Sequence, residues 1–296
     1  MTWTPCSFRN RNGRELRGLF FDPPPERPPF PLGVVYLPGF VLGYSAVHRL
    51  GLHVLDRFSQ AGFPGLVFDH AGVGESEGDS LCGAHDELSR HVASGGLLAD
   101  TIDALGYFGS ARPVERMLLI GHCGGALTAS YAGAVDTRVV GLALLSPPAL
   151  EVGEPDAAMP EGAVNQRLRF YRTRLTSGRS WTNLMLGRTD YRTLAKTMLS
   201  KVRITVGGAP SLRLNPRLLE AVRTVSRRGR VLIIAGDHDE QIRELNEFMR
   251  AVTGQGVTYK ILPDTSHGFV TDESMSLLTA ELDAFVHAAA SLEANR

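Results

Sequence analysis

The sequence predicts an α/β fold in which a mostly parallel central sheet carries helices on both faces. Short runs that are apolar at every position recur along the chain, as a strand requires when both of its faces are covered. Helical patterns separate these runs, and a regular alternation of strands and helices is typical of parallel sheets. The predicted strands lie at 32–37, 65–68, 117–120, 139–145 and 231–235, with a weaker and more polar candidate at 257–262.

The elements before and between these strands follow from local signals. Residues 7–21 are predicted to form two short strands around the turn Asn12-Gly13, and prolines then break the chain before the first buried strand. The helical patterns repeat apolar residues every three or four positions. They cover residues 45–61, 96–107, 125–134, 240–253 and 273–292.

One interval interrupts the alternation. Between Ser146 and Arg230 the sequence contains no convincing buried strand, and the stretch is polar, helical in pattern and rich in arginine. It predicts a helical lid at 148–227, inserted into a core formed by residues 1–147 and 228–296. Some lid arginines could reach an acidic substrate or the phosphopantetheine of a carrier protein, although a solvated helical face is the simpler explanation.

Composition argues against several classes of protein. The 296-residue chain has 31 basic and 31 acidic residues and no sustained basic patch, which argues against nucleic-acid or anionic-membrane partners. No run reaches the roughly 18 apolar residues needed to span a bilayer, and no apolar signal segment opens the sequence, so a cytoplasmic location is expected. Three cysteines without CxxC spacing indicate neither a disulfide framework nor a zinc site, and no cofactor is expected.

The most specific feature is the segment Gly121-His122-Cys123-Gly124-Gly125, which follows an apolar strand and opens a helical pattern. This is the G-x-C-x-G form of a nucleophile elbow, a tight strand-to-helix turn that needs glycine at its flanks and pushes the central side chain out above the sheet. The helix N-terminus also stabilises negative charge on sulfur. Cys123 is therefore the predicted nucleophile, and the alternative is a small residue buried in a tight turn.

A thiol nucleophile needs a base and a group that orients the base. His267 lies in a loop between the last predicted strand and the final helix, where the chain order nucleophile, acid, histidine puts the base. The loop after strand 231–235 offers Asp237 and Asp239; the spacing from Gly236 favours Asp239, and Asp237 remains a contender. The acid would hold the imidazole in the required tautomer and stabilise the imidazolium.

Acyl transfer also creates an oxyanion, which needs two backbone donors in a dry site. One donor is expected from Gly124, the residue after the nucleophile, and the other from Phe40, in the loop after strand 32–37. Gly39 would let this loop turn towards the site, although Pro38-Gly39 alone also fits an ordinary turn.

Two segments of the sequence resemble motifs of the α/β-hydrolase superfamily. The resemblance as a whole spans about residues 8–285. Residues 37–40, LPGF, are similar to the HGF-type oxyanion loop, with Pro38 in place of histidine. Residues 68–76, FDHAGVGES, are similar to the FDxRGxGxS segment, with Ala71 in place of arginine. The resemblance implies an α/β-hydrolase fold.

The cysteine elbow narrows the resemblance within that superfamily. It is similar to the elbow of dienelactone hydrolases, of certain thioesterase-like enzymes and of Dieckmann-type cyclases. A closer resemblance is to the hydrolases associated with exosortase systems, in the run at 45–50, in the cysteine-bearing elbow and in the helical lid at 170–199.

The residues and the resemblance together predict a cysteine-dependent acyl hydrolase or acyltransferase that acts on an ester or thioester through a thioester acyl-enzyme. Because a thioester reacts readily with amine, thiol and carbon nucleophiles, a Dieckmann-type or other cyclase is an alternative. A second alternative is a catalytically silent homologue that binds a ligand. The expected partner is a small-molecule or carrier-bound acyl substrate.

Overall fold

A computed structural model describes residues 3–39, 43, 49–81, 85–152, 213–252, 254 and 256–294. Within these residues, eight strands form one sheet. The strands are Trp3–Arg9 (β1), Glu15–Phe21 (β2), Leu32–Leu37 (β3), Gly65–Phe68 (β4), Arg116–His122 (β5), Val139–Leu145 (β6), Arg230–Gly236 (β7) and Val257–Leu262 (β8).

The strands follow the order β1-β2-β4-β3-β5-β6-β7-β8 across the sheet. Strand β2 pairs antiparallel with both of its neighbours. The other six strands in this order, β4, β3, β5, β6, β7 and β8, are all parallel. The carboxyl ends of these parallel strands therefore meet at a single edge of the sheet, which is where open α/β sheets bind their ligands.

Helices cover both faces of the sheet. Those in the described residues are numbered in chain order: Leu50–Gln60 (α1), His85–Ala93 (α2), Leu98–Ala111 (α3), Gly124–Val135 (α4), Pro216–Ser226 (α5), Ile242–Val252 (α6) and Asp272–Ala294 (α7). Buried residues of α3, α4, α5 and α6 pack into the hydrophobic cluster on one face, and those of α1 and α7 into the cluster on the other.

The central strands are apolar on both faces because they contribute to both clusters. In β3, Val35 and Leu37 belong to the cluster beneath α4, whereas Val34 and Tyr36 belong to the cluster beneath α1. Side chains alternate between the two faces of a strand, so a strand covered on both sides can have no polar position. This explains the continuous apolar runs from which the sheet was predicted.

The predicted fold class is confirmed: the sheet is mostly parallel and carries helices on both faces. The weak candidate at 257–262 is the edge strand β8, and its alternation of exposed and partly buried residues accounts for its polar character. Helix α2 is not among the clearest helical patterns of the sequence. Its sequence HDELSRHVA contains few apolar residues from which a helical period could be recognised.

Most of the predicted lid, residues 153–212, lies outside the described residues, and the domain boundaries stay a prediction. Helix α5 falls within the predicted lid interval, yet Leu218, Val222 and Val225 are fully buried in the cluster that also contains residues of α4. Asn215 caps this helix, since its side chain accepts a hydrogen bond from the backbone of Leu218 at 3.0 Å.

In the portion of the chain that the structure describes, no helix combines the length and the apolar character needed to cross a bilayer.

Candidate active site

Three predicted residues come together at the carboxyl edge of the sheet. Cys123 directly follows β5, Asp239 lies in the loop after β7, and His267 lies in the loop after β8. They are separated by up to 144 positions in the sequence, but these strands end on the same side of the sheet. The topology thus gathers a thiol, an imidazole and a carboxylate into one cluster.

The backbone at Cys123 has the conformation of a nucleophile elbow. Its φ of 51° and ψ of −120° lie in a region that L-residues rarely adopt, and the residue is the N-cap of α4. The surrounding glycines are required by close packing: a Cβ on Gly125 would lie 2.2 Å from the carbonyl oxygen of Leu37, and one on Gly121 would lie 2.4 Å from the carbonyl oxygen of Gly125. The elbow therefore packs closely against the end of β3.

His267 and Asp239 form a hydrogen-bonded pair. Nδ1 of His267 lies 3.0 Å from Oδ2 of Asp239, whose side chain is completely buried. The other carboxylate oxygen, Oδ1, accepts a bond from the backbone of Gln241 at 2.9 Å. A carboxylate can only accept from His267, so Nδ1 carries the proton and Nε2 is the nitrogen left for chemistry.

The contender Asp237 has a different place. It is exposed, and Oδ1 accepts a hydrogen bond from the backbone of Thr265 at 3.1 Å. Asp237 thus supports the backbone of the loop that carries His267, while Asp239 contacts the imidazole itself.

The charges of the cluster favour a protonated imidazole beside an ionised carboxylate. Burial acts against both charges: it lowers the pKa of His267 and raises that of Asp239. For His267 the negative charge of Cys123 and the bond to Asp239 outweigh burial, so its pKa is raised well above the ordinary value. For Asp239 the bond to His267, the positive charge of that ring and the backbone NH of Gln241 act together against burial, and its pKa is lowered.

Of the two predicted oxyanion donors, the structure describes Gly124. Gly124 is the first residue of α4, and the first backbone NH groups of a helix have no acceptor within it. Phe40 lies outside the described residues. Its neighbour Gly39 approaches Cys123, since a Cβ built on Gly39 would lie 3.3 Å from Cβ of Cys123.

Two further residues belong to the site. The first is His122, which precedes Cys123 and binds the loop of His267 through Nε2, 2.9 Å from the carbonyl oxygen of His267. The second is Ser146, a buried residue with a positive φ of 46° that follows β6. It helps to lower the pKa of Asp239. Position directly after a buried parallel strand was the available signal for Ser146.

Across the parts of the chain that the structure describes, no three histidine, cysteine or acidic side chains are grouped as metal ligands would be.

The fold agrees with that of several solved structures. The chain superimposes on the alpha/beta hydrolase GrgF from Penicillium sp. sh18 with a TM-score of 0.63 and 18% identity, over 98% of this chain and 100% of that one. An esterase from Pyrococcus furiosus gives a TM-score of 0.65 at 16% identity, over 97% and 91% of the two chains. Est1E from Butyrivibrio proteoclasticus, with ferulic acid bound, gives 0.62 at 18% identity, over 97% and 99%.

Sequence comparison leads to the same group of proteins. No curated protein matches the sequence significantly. The sequence model of the alpha/beta hydrolase family matches residues 34–282, which is most of the chain. The protein therefore belongs to the alpha/beta hydrolase family.

Proposed function

We propose that this protein is a cysteine-dependent acyl hydrolase or acyltransferase that acts on an ester or thioester through a thioester acyl-enzyme. The observation that carries the proposal is the placement of Cys123 on a strained elbow beside His267, which is in turn bonded to Asp239. A nucleophile, a base and a group that orients the base are the parts that covalent acyl transfer needs.

In the first half of the proposed reaction, Nε2 of His267 has already taken the thiol proton, and the sulfur of Cys123 attacks the acyl carbonyl carbon as a thiolate. The tetrahedral oxyanion is stabilised by the backbone NH of Gly124, with the loop after β3 as the source of the second donor. When the intermediate collapses, the bond to the leaving alcohol or thiol breaks and the imidazolium returns the proton to it. The acyl group is then held as a thioester on Cys123.

In the second half, an acceptor attacks the thioester. Nε2 of His267 removes a proton from water or another nucleophile, the new bond forms at the acyl carbon, and the sulfur of Cys123 leaves and recovers the proton. Asp239 stabilises the imidazolium in both halves without itself taking the proton. Water as acceptor gives hydrolysis, and an amine, alcohol or thiol gives acyl transfer.

The structural relatives support the general class of reaction. The Pyrococcus furiosus protein is named as an esterase, and Est1E was solved with ferulic acid, a carboxylic acid, bound. An esterase and a bound carboxylic acid both belong to acyl chemistry. The cysteine at the elbow is the reason to propose a thioester intermediate for this chain in place of an oxygen ester.

The proposal is tested by incubating the protein with a panel of acyl thioesters and activated esters and measuring its intact mass. We expect a mass increase equal to the acyl group, located on Cys123 by peptide mapping, and turnover that is abolished in Cys123→Ala. Cys6→Ala is the matched control, because Cys6 lies in β1 and burial raises the pKa of its thiol to about 12. Turnover at the wild-type rate in Cys123→Ala would overturn the proposal.

A further inference from the structure

His122 connects two parts of the site that are 145 positions apart in the sequence. It is the last residue of β5 and only 3% exposed, and its Nε2 lies 2.9 Å from the main-chain oxygen of His267. A carbonyl oxygen can only accept a hydrogen bond, so Nε2 of His122 carries the proton and donates it. This bond links the residue before the nucleophile to the backbone of the residue that carries the base.

The ring of His122 also packs against two side chains of the loop that carries His267. Its centroid lies 5.4 Å from that of His267 and 5.9 Å from that of Phe269, with the Phe269 ring edge-on at 69°. Phe269 is fully buried and has a positive φ of 51°. The loop thus keeps an unfavourable backbone conformation, which persists only where surrounding contacts hold it in place.

Other hydrogen bonds fix the same loop from the side of the acid. The backbone of Thr265 donates to Asp237 at 3.1 Å, and its carbonyl oxygen accepts from the backbone of His238 at 3.0 Å. These bonds place the loop relative to β7, but they do not place it relative to the sulfur. The bond from His122 supplies the connection to the elbow.

His122 is suited to this task because it stays neutral. Burial, and next the positive charge of His267, lower the pKa of His122 to about 4, while the bond to the His267 carbonyl and the charge of Asp239 act in the opposite direction. Nδ1 of His122 is buried and has no hydrogen-bond partner among the described residues, so a proton there would be both unsolvated and close to His267. A neutral ring avoids repulsion between two adjacent imidazolium groups.

We propose that His122 is a positioning residue that acts through its Nε2–H bond to the main-chain carbonyl of His267 and thereby sets the imidazole of His267 against the sulfur of Cys123. This inference rests on the proposed function, because it needs Cys123 and His267 to react as a pair. His122 itself takes no proton from the thiol, because a proton on its buried Nδ1 would have no hydrogen-bond partner and would create a second imidazolium beside His267.

The test compares three substitutions of this one side chain. His122→Phe keeps a planar ring and removes the donor, and His122→Asn shortens the side chain so that its amide cannot reach the position of Nε2. His122→Gln restores an NH donor near that position. Small displacements of reacting groups cost up to about 100-fold in rate, so we expect kcat to fall roughly 10- to 100-fold in the Phe and Asn variants, with little change in KM, and to recover largely in the Gln variant.

His70 provides the matched control. It is also 3% exposed, its pKa is also lowered to about 4, mainly by burial, and its Nε2 lies 3.0 Å from Oγ1 of Thr101, away from the base-bearing loop. Thermal unfolding of every variant identifies any that fails to fold. We expect His70→Phe to lose stability while its folded fraction keeps the wild-type kcat and pH profile.

The pH profile of acylation is the second readout, and it would not move if the role of His122 were merely structural. We expect the apparent pKa that reports His267 to shift in the Phe and Asn variants and to return towards the wild-type value in the Gln variant. Folded Phe and Asn variants with wild-type kcat and an unchanged profile would overturn the positioning role. Turnover retained by Cys123→Ala would instead overturn the proposed function, so the two failures are distinguishable.

Discussion

Asp239 and His267 are joined through a single pair of atoms, with Oδ2 of the buried carboxylate 3.0 Å from Nδ1 of the imidazole. Asp237, two residues earlier, reaches the same loop but bonds the backbone of Thr265 instead. The two carboxylates therefore have different partners although they share a loop and a residue type. This difference can be tested by matched substitutions.

We expect Asp239→Asn to lower kcat by about 10²- to 10⁴-fold, because an amide can donate to Nδ1 and would stabilise the wrong imidazole tautomer. Asp237→Asn keeps an oxygen that accepts from Thr265 and should change kcat by no more than about twofold, as expected for an exposed substitution. Steady-state kinetics on an activated ester would measure both. The assignment would be wrong if Asp237→Asn were the more damaging change.

The same ion pair predicts how stability depends on pH. The lowered pKa of Asp239 means that its contribution is complete above the unfolded value of about 4 and is lost as the pH falls through the folded pKa. The raised pKa of His267 means that its contribution is complete below the unfolded value of about 6.5 and is lost as the pH rises through the folded pKa.

Both contributions are therefore complete between about pH 4 and pH 6.5. We expect the difference in free energy of unfolding between wild type and His267→Gln, measured by urea denaturation, to be largest in this window and to shrink on either side. A difference that is constant from pH 3 to pH 9 would contradict the direction of these shifts.

The sheet could be predicted because burial on both faces leaves a direct trace in the sequence. Strands such as β6, VVGLALL, have no exposed position, so they contain no polar residue. Helix α5 was obscured by the arginine-rich interval before it, although Asn215-Pro216 is a helix-start signal and Leu218, Val222 and Val225 repeat at helical spacing. The sequence therefore contains a local signal for this helix, which lies within the interval predicted as the lid.

The cluster around the thiol could be predicted only where a residue type and a spacing coincide. Cys123 lies within a short motif, and His267 and Asp239 follow strands in the expected order. The bond from His122 to the backbone of His267 has no such trace, since any residue can supply a main-chain carbonyl. Contacts of this kind depend on how distant segments meet, which a single sequence does not encode locally.

The packing of the elbow predicts a strong effect of a single methyl group. Gly125→Ala would place a Cβ 2.2 Å from the carbonyl oxygen of Leu37 and 2.4 Å from that of Pro38, so the end of β3 and the residue after it would have to move. We expect a loss of about 1–3 kcal/mol in the free energy of unfolding, together with a lower rate of acylation.

Gly106→Ala is the control for that substitution. Gly106 is an exposed residue of α3, and a Cβ there would meet no atom within 4 Å. Because alanine favours the helix over glycine, we expect this change to increase the free energy of unfolding by about 0.5–1 kcal/mol. Urea denaturation of both variants measures the contrast, and equal effects would mean that the elbow tolerates a Cβ.

The reactivity of the thiols distinguishes an activated elbow from a merely buried cysteine. The sulfur of Cys123 lies at the N-terminus of α4 beside His267, whereas Cys6 is partly buried in β1 with its thiol pKa raised to about 12. Since the thiolate is the reactive form, we expect iodoacetamide at neutral pH to alkylate Cys123 much faster than Cys6, as measured by peptide mass spectrometry over time. The advantage should diminish in His267→Gln, because the imidazole can then no longer accept the proton or stabilise the negative sulfur. Equal, slow labelling of both cysteines in wild type would show that the elbow does not activate its thiol.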